Sequence, residues 1–336
     1  MKANKNERKI PLHILYPCIG VLLLVSFYAS LRLGSSHMTS RIFFGGLFRL
    51  DGYETESVII YTLRLPRAIG ATLCGVGLAT SGVLLQAITD NSLSSPNIIG
   101  VNAGAGFFIV LALAVFPALT LSLPLFSFMG AFMATALIIL IAGKRSFSKA
   151  TVILGGIALN ALLNAGISFI TLLDNDILAS YNSFSVGGLR GVGLKDLAVP
   201  SVIIAICLTV CMILSKRIDT LCLGDYYASS IGINVRALRV TCAVCASALA
   251  GSVVSFCGLV GFVGLIVPHI SRFFVGSRVK RLLPASAIIG CITVLLADLL
   301  GRTVLSPSEI PVGITMAFIG APFFIILLVK NRGECR

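Results

Sequence analysis

Long apolar runs dominate the chain, and short polar or basic links separate them. A hydrocarbon core of about 30 Å requires about 20 apolar residues in a helix, so each run predicts one membrane crossing. Backbone groups inside a bilayer must satisfy one another, which favours helices. The pattern predicts an all-α integral membrane protein with about ten transmembrane helices. They lie at 12–31, 67–88, 98–116, 121–143, 150–173, 196–215, 240–256, 258–270, 283–302 and 312–330.

The distribution of Lys and Arg predicts the orientation of these crossings. With the N-terminus in the cytoplasm, 18 of the 26 Lys and Arg residues fall inside and 8 fall outside. This asymmetry is the one that membrane proteins favour. Both termini are therefore predicted to be cytoplasmic, and the whole chain, 1–336, is interpreted as a single transmembrane domain.

The interval 240–271 is too short for two full crossings, although the basic residues at both of its ends favour the inside. One member must be short or broken. We predict a break at 255–258, followed by a half-length helix that Pro268 closes near residue 270. Interrupted helices occur where protein or a water-filled cavity surrounds them, so this interval indicates a transport pathway.

Composition excludes several classes of protein. Residues of the apolar set make up 57% of the chain and charged residues only 12%, which is incompatible with a soluble enzyme. The net charge of +13 comes from short basic clusters between apolar runs, so no nucleic-acid partner is expected, and membrane lipid surrounds the chain. Most of the ten cysteines lie within apolar runs and are interpreted as packing residues. No metal site is predicted.

A few polar residues interrupt the apolar runs: Gln86, Asn102, Asn160 and Asn164. The last two are four residues apart and so share one helix face. They are candidates for the lining of a pathway, and they are equally candidates for hydrogen bonds between helices. Small residues recur along the second and seventh runs, which permits close helix packing.

Three arginines lie on the predicted outer side, where the topological preference disfavours positive charge. Arg64 and Arg67 flank the proline that starts the second run, and Arg302 ends the ninth. A docking site for an acidic partner would explain them, because guanidinium groups pair with carboxylates. The alternatives are snorkelling towards lipid headgroups and, for Arg302, an ion pair with Asp298 one turn earlier.

The longest inner loop, 216–239, contains a candidate short helix. Asp225 is a suitable N-cap and Gly232 a suitable C-cap, with room for about two helical turns between them. A second short helix is predicted to start at Asn234. A capped helix on the cytoplasmic surface could transmit force to a soluble partner, or it could be an ordinary interfacial helix.

The sequence also lacks the signatures of self-sufficient energy coupling. It contains no phosphate-binding P-loop motif and no carboxylate in the middle of a predicted span. An ion-coupled secondary transporter is therefore a distant alternative. No nucleophile and base constellation is present, so the chain is not predicted to be an enzyme, and any ATP hydrolysis is expected in a separate subunit.

These motifs, in this order, resemble the permease subunits of ABC importers for iron–siderophore, haem and vitamin B12 uptake, the FecCD family. The resemblance extends across nearly the whole chain from about residue 15. It is carried by Arg64-Leu65-Pro66-Arg67 and by the stretches 78–86, 95–105, 224–232, 258–272, 297–298, 311–313 and 320–322.

The resemblance implies a type II ABC importer permease bundle of ten helices that pairs with a second permease subunit, either an identical copy or a paralogue. In such permeases the loop at about 218–236 binds the ATPase, so Gly224, Asp225, Tyr226 and Gly232 are implied to form that contact. An external solute-binding protein is implied to dock on Arg64, Arg67 and Arg302.

The resemblance further implies that this chain binds no cofactor and that the partner ATPase uses ATP and Mg. The expected location is the bacterial cytoplasmic membrane, as a multi-pass protein. The expected cargo is a ferric-siderophore-type iron chelate, with cobalamin or haem as the alternative, because the residues of the pathway carry no code for the substrate.

Overall fold

The computed structural model describes residues 11–34, 38–117, 123–143 and 149–332, and within these ranges the chain forms helices and connecting turns without any strand. One π-helical turn, Ile59–Arg64, joins the third helix to the fourth without interruption. The helices are α1 (Leu12–Arg32), α2 (Ser40–Leu47), α3 (Glu54–Val58), α4 (Leu65–Thr89), α5 (Val101–Val115), α6 (Leu123–Gly143), α7 (Lys149–Leu173), α8 (Asn175–Val186), α9 (Leu194–Leu221), α10 (Asp225–Ser230), α11 (Val235–Cys257), α12 (Val263–Val275), α13 (Val279–Thr303) and α14 (Val312–Arg332).

The predicted all-α membrane architecture is confirmed. In the described parts of the chain, 7 helical segments are long and apolar enough to cross a membrane, and α5, α12 and α14 are shorter apolar helices. Each of these ten coincides with one predicted run. The chain is therefore a multi-pass membrane protein.

Three helical features were not predicted from the apolar pattern. The second crossing begins at Glu54, well before residue 67, because α3 leads into α4 without interruption. The helices α2 and α8 are additional. The helix α8 contains about as many polar as apolar residues, so it does not register as an apolar run. The Asp174 carboxylate caps it by accepting from the backbone N–H groups of Asp176 and Ile177.

A break between the seventh and eighth crossings is confirmed, but its predicted position, 255–258, is wrong by about three residues, because residues 255–257 still belong to α11. The helix α11 ends at Cys257, and α12 begins at Val263 after a non-helical segment, 258–262. Gly258 has a φ of 72°, in the left-handed region that glycine adopts without a steric penalty. The two helices of this interval are thus a full crossing of 23 residues and a short helix of 13 residues.

The prediction that Pro268 closes the short helix is wrong, because α12 continues to Val275. A proline inside a helix deprives the carbonyl four residues earlier, here that of Gly264, of its N–H donor. The side-chain amide of Gln86 donates to this same carbonyl at 3.3 Å. Since α4 replaces the missing donor, the proline is tolerated, and the helix ends at Gly276, where φ is 77°.

The centre of the bundle consists of α4, α11 and α13. In their most apolar windows 78%, 67% and 72% of the residues are buried, against 22% in α1 and 17% in α7. Glycines permit this close packing: a Cβ added to Gly75 would lie 2.3 Å from the carbonyl oxygen of Gly290, and one on Gly82 would lie 1.9 Å from that of Gly264. The backbones of α4, α12 and α13 are therefore in direct contact, as small residues allow.

The cysteines mostly pack as predicted. Seven of the nine cysteines in the described part of the chain are buried. Cys18 is exposed because it lies on the outer face of the peripheral helix α1, so its interpretation as a packing residue is wrong. Among the described residues, no group of three His, Cys, Asp or Glu side chains has an arrangement that could hold a metal ion.

Candidate functional site

The outer arginines converge on one pocket. The ends of α4 and α13 and the loop before α9 enclose a volume of about 490 Å³, which we call the outer arginine pocket. Four arginines and one carboxylate supply its charged lining, so the pocket carries net positive charge. They are Arg64, Arg67, Arg190, Arg302 and Glu309.

Arg67 lies at the centre of an ion-pair network. Its Nε donates to both carboxylate oxygens of Asp298, at 3.0 and 3.2 Å, and its Nη1 donates to Oε2 of Glu309 at 2.8 Å. Asp298 is 1% exposed and also lies 3.1 Å from Nε of Arg302. The alternative interpretation of Arg302, an ion pair with Asp298, is therefore confirmed. Asp298 pairs with Arg67 as well.

Arg64 and Arg302 contact the outer end of α1. Nη1 of Arg64 donates to the carbonyl oxygens of Leu31 and Arg32, groups that a helix end leaves without an intrahelical donor. Nη2 of Arg302 donates to the hydroxyl of Ser30 at 2.9 Å. Both arginines are buried. These contacts fix the position of the two guanidinium groups beside the pocket.

Two members of the pocket were missed by sequence reasoning. Arg190 is exposed and lies in the loop between α8 and α9, and Glu309 lies in the loop between α13 and α14. Arg190 could have been found from the sequence, because a positive charge on the predicted outer side is as unfavourable for topology there as it is at Arg64. Nothing in the pattern around Glu309 indicates a partner that is 242 positions away.

A second cavity, the central cleft, has a volume of about 840 Å³. Its walls come from the loop before α5 and from α5, α7, α8, the 258–262 segment and α14. Three of the four predicted polar residues, Asn102, Asn160 and Asn164, line it. Gln86 does not line the cleft: it is 3% exposed and bonds to Gly264, as an interhelical contact would.

The two asparagines of α7 have different surroundings. The amide of Asn160 donates to the carbonyl oxygens of Asn97 and Ile98, at 3.0 and 3.3 Å, and so holds the loop before α5 against α7. Asn164 is exposed in the same cleft. Asn160 therefore bonds to the loop before α5, and Asn164 presents its carboxamide to the cavity.

The non-helical segment 258–262 forms part of the wall of the cleft. The backbone N–H of Leu259 donates to the carbonyl of Phe184, at the end of α8, and the N–H of Gly313 donates to the carbonyl of Gly187. The 258–262 segment and the start of α14 thus each donate a backbone N–H group to a carbonyl at or just after the end of α8. Non-helical backbone at membrane depth is tolerated where protein or a cavity surrounds it, and both conditions hold here.

The inner loop contains the predicted short helix, α10, but its cap differs from the prediction. Gly224 occupies the N-cap position with a φ of 112°, and the Asp225 carboxylate accepts instead from Nη2 of Arg239 at 2.7 Å. Arg239 is 3% exposed and belongs to α11. The N-cap assignment of Asp225 is wrong for this reason. The C-cap is Ile231 and not the predicted Gly232, because the glycine takes the next position, where its φ is 82°. The predicted second short helix is the first turn of α11, capped by the side chain of Asn234.

Large apolar and aromatic side chains are exposed on α10 and on the residues next to it. Tyr226 is 89% exposed, and Leu223, Tyr227 and Ile231 are each more than half exposed. The ion pair between Asp225 and Arg239 connects α10 to α11. Exposed aromatic side chains on an anchored element are typical of a contact with another protein.

Comparisons with a protein family, with related sequences and with a solved structure all match this chain to transport proteins. The FecCD transport family matches residues 22–330. The Fe(3+)-citrate import system permease protein YfmE of Bacillus subtilis is 36% identical over 330 residues, covering 98% of each chain. The iron(3+)-hydroxamate import system permease protein FhuG of the same organism is 33% identical and covers 98% of this chain and 99% of its own. A solved structure of a metal-chelate type ABC transporter in an inward-facing conformation superposes with a TM-score of 0.85 at 31% identity, over 95% of this chain and 99% of that one.

Proposed function

We propose, because this chain belongs to the FecCD transport family, that it is the membrane permease subunit of an ATP-driven importer and provides the pathway for a ferric chelate of the siderophore type. The relatives named for ferric citrate and ferric hydroxamate import support this class of cargo. The observation that carries the proposal is the central cleft, because a broken helix and the exposed carboxamide of Asn164 border it.

The lining of the cleft suits a pathway that binds its cargo weakly better than a site that binds it tightly. Its polar lining is uncharged and consists mainly of asparagine amides, and aliphatic side chains supply half of the lining residues. Such a wall makes few strong bonds to a bulky polar chelate, so the chelate can leave again. Selectivity then resides mainly in a binding protein outside the membrane.

The energy for transport comes, in this proposal, from ATP and Mg bound by separate ATPase subunits. The anchored and exposed face of α10 supports an inner contact with such a subunit. Motion at α10 reaches α11 through the pair of Asp225 and Arg239. The carboxylate of Asp219, at the end of α9, accepts from the backbone N–H of Val279 and so connects the same loop to α13.

The outer arginine pocket is proposed to receive acidic side chains of an external solute-binding protein. Its net positive charge supports this, because guanidinium groups bind carboxylates in a defined geometry. A second permease subunit, identical or paralogous, completes the pathway at the open side of the cleft. The location of the assembly is the bacterial cytoplasmic membrane.

Uptake of labelled cargo tests the proposal directly. Cells with and without the gene are offered ferric siderophores of the hydroxamate and catecholate types, ferric citrate, haem and cobalamin. Loss of uptake of one ferric chelate is the expected result. Loss of cobalamin or haem uptake alone would replace the proposed cargo, and unchanged uptake of every compound would contradict the proposal.

A matched pair of variants tests the pathway itself. Asn164→Leu removes the carboxamide exposed in the cleft, whereas Thr209→Leu removes a polar group from the exposed face of the peripheral helix α9, where its hydroxyl bonds only to the carbonyl of Ala205 in the same helix. Uptake in proteoliposomes is expected to change in the first variant and to remain normal in the second. Equal rates for both would remove the cleft from the pathway.

A further inference from the structure

Glu309 occupies the position that a partner carboxylate would take. Its Oε2 accepts from Nη1 of Arg67 at 2.8 Å within the outer arginine pocket, on the side of the guanidinium group that Asp298 leaves available. We infer that Glu309 is an internal competitor: it pairs with Arg67 while the permease is undocked, and a carboxylate of the solute-binding protein replaces it on docking. This inference rests on the proposed function.

The two acids that hold Arg67 are not equivalent. Asp298 projects from α13, is 1% exposed, and contacts Arg302 as well, so moving it would remove a carboxylate partner from two guanidinium groups at once. Glu309 lies in the loop between α13 and α14, is 20% exposed, and has Arg67 as its ion-pair partner. Moving it requires only a change in a loop side chain. Asp298 is therefore a structural ligand, and Glu309 is the exchangeable one.

The charge of the pocket favours the exchange. With Glu309 in place, its carboxylate neutralises one of the four lining arginines. When Glu309 turns towards water, that charge moves away from Arg67 and a second carboxylate can enter beside Arg190, whose side chain is exposed at the same opening. The incoming group makes the same charge-assisted bond that Glu309 made, so the exchange costs little.

A protein carboxylate fits the pocket better than a lipid phosphate does. The Nη1 position of Arg67 already holds a carboxylate at ordinary hydrogen-bond length. The pocket of about 490 Å³ lies between helix ends and a surface loop, where a side chain from an aqueous partner can enter. The partner is therefore expected to present an Asp or Glu side chain at the centre of its contact surface.

An internal competitor weakens docking in proportion to its occupancy. An apparent Kd equals the intrinsic Kd divided by the fraction of molecules in the competent state. If Glu309 occupies Arg67 for about nine-tenths of the time, its removal strengthens docking about tenfold. The test compares Glu309→Gln with Glu54→Gln, which removes the same charge from an exposed position of α3 outside the network.

The experiment uses the complete permease and ATPase complex in nanodiscs, titrated with the solute-binding protein expressed by the same cells and labelled with a fluorophore. Glu309→Gln is expected to lower the Kd at least threefold relative to Glu54→Gln. Equal Kd values for the two variants, weaker docking by Glu309→Gln, or an effect that anionic lipid in the nanodisc reproduces or abolishes would overturn the inference.

A separate variant distinguishes failure of this inference from failure of the proposed docking function. Arg190→Glu reverses an exposed charge of the same pocket without entering the network around Asp298. If it weakens docking while Glu309→Gln has no effect, the pocket docks the partner and only the competitor role is rejected. If neither Arg190→Glu nor Glu309→Gln changes the Kd, the pocket is not the docking site, and both proposals fail.

Discussion

Replacement of Gly82 by alanine tests whether backbone contact between helices holds the bundle together. A Cβ at this position would lie 1.9 Å from the carbonyl oxygen of Gly264, about 1.5 Å closer than an ordinary contact. Helix α12 must therefore move away from α4. The same movement lengthens the hydrogen bond from Gln86 to that carbonyl, which is already 3.3 Å.

The size of the effect follows from three contributions. Overpacking in a close-packed interior costs about 1–3 kcal/mol, and loss of one hydrogen bond costs about 1 kcal/mol. The better helix propensity of alanine returns about 1 kcal/mol. Gly82→Ala should therefore reduce the free energy of unfolding by about 1–3 kcal/mol.

Gly20→Ala is the matched control, because it makes the same substitution in α1, where a new Cβ would meet nothing within 4 Å. Thermal unfolding of the purified protein in detergent, followed by the exposure of its buried thiols or by tyrosine fluorescence, measures both variants. The control should be as stable as the wild type or more stable. Equal unfolding temperatures for Gly82→Ala and Gly20→Ala would refute the contact argument.

Three further predictions concern the two ends of the bundle. Asp298→Asn should lower the unfolding temperature more than Glu309→Gln, because breaking a fully buried ion pair costs about 3–5 kcal/mol and Glu309 is partly solvated; the reverse order in the same thermal assay would contradict the network. Arg239→Gln should release α10 from α11 and reduce transport-coupled ATP hydrolysis in proteoliposomes, and unchanged coupling would show that the pair with Asp225 is dispensable. Tyr226→Ser should leave thermal stability unchanged because the side chain is 89% exposed, while retention of the ATPase in a detergent pull-down falls; normal retention would place the contact elsewhere.

The crossings could be predicted from the sequence because their signal is local. A bilayer imposes a minimum apolar length on each helix, and that length can be measured without knowing any neighbour. The break before Val263 was also visible, since two basic flanks constrained an interval too short for two helices. In contrast, α8 was missed because a helix with mixed polarity has no length requirement of this kind.

The candidate site was predicted in its parts but not in its connections. Arg64, Arg67 and Arg302 were found by their unfavourable outer charge, which is again a local property. Their partners were not found, because the bond from Arg67 to Asp298 joins positions 231 residues apart. The prediction that Pro268 ends its helix was wrong for a similar reason. The proline leaves the carbonyl of Gly264 without its usual donor, and the side chain of Gln86, in α4, donates to it instead. No pattern around the proline reveals a donor from another helix.

The pair of Arg67 and Asp298 also constrains how the protein is made. Arg67 enters the membrane with the second crossing, and Asp298 follows only with the ninth. Until then the arginine has no carboxylate partner in the same network, and a cation in the hydrocarbon would be costly. Its place at the outer end of α4 lets water and headgroups solvate it during this interval. The outer arginine pocket is therefore completed late in synthesis, so that a chain interrupted before α13 would lack Asp298, Arg302 and Glu309.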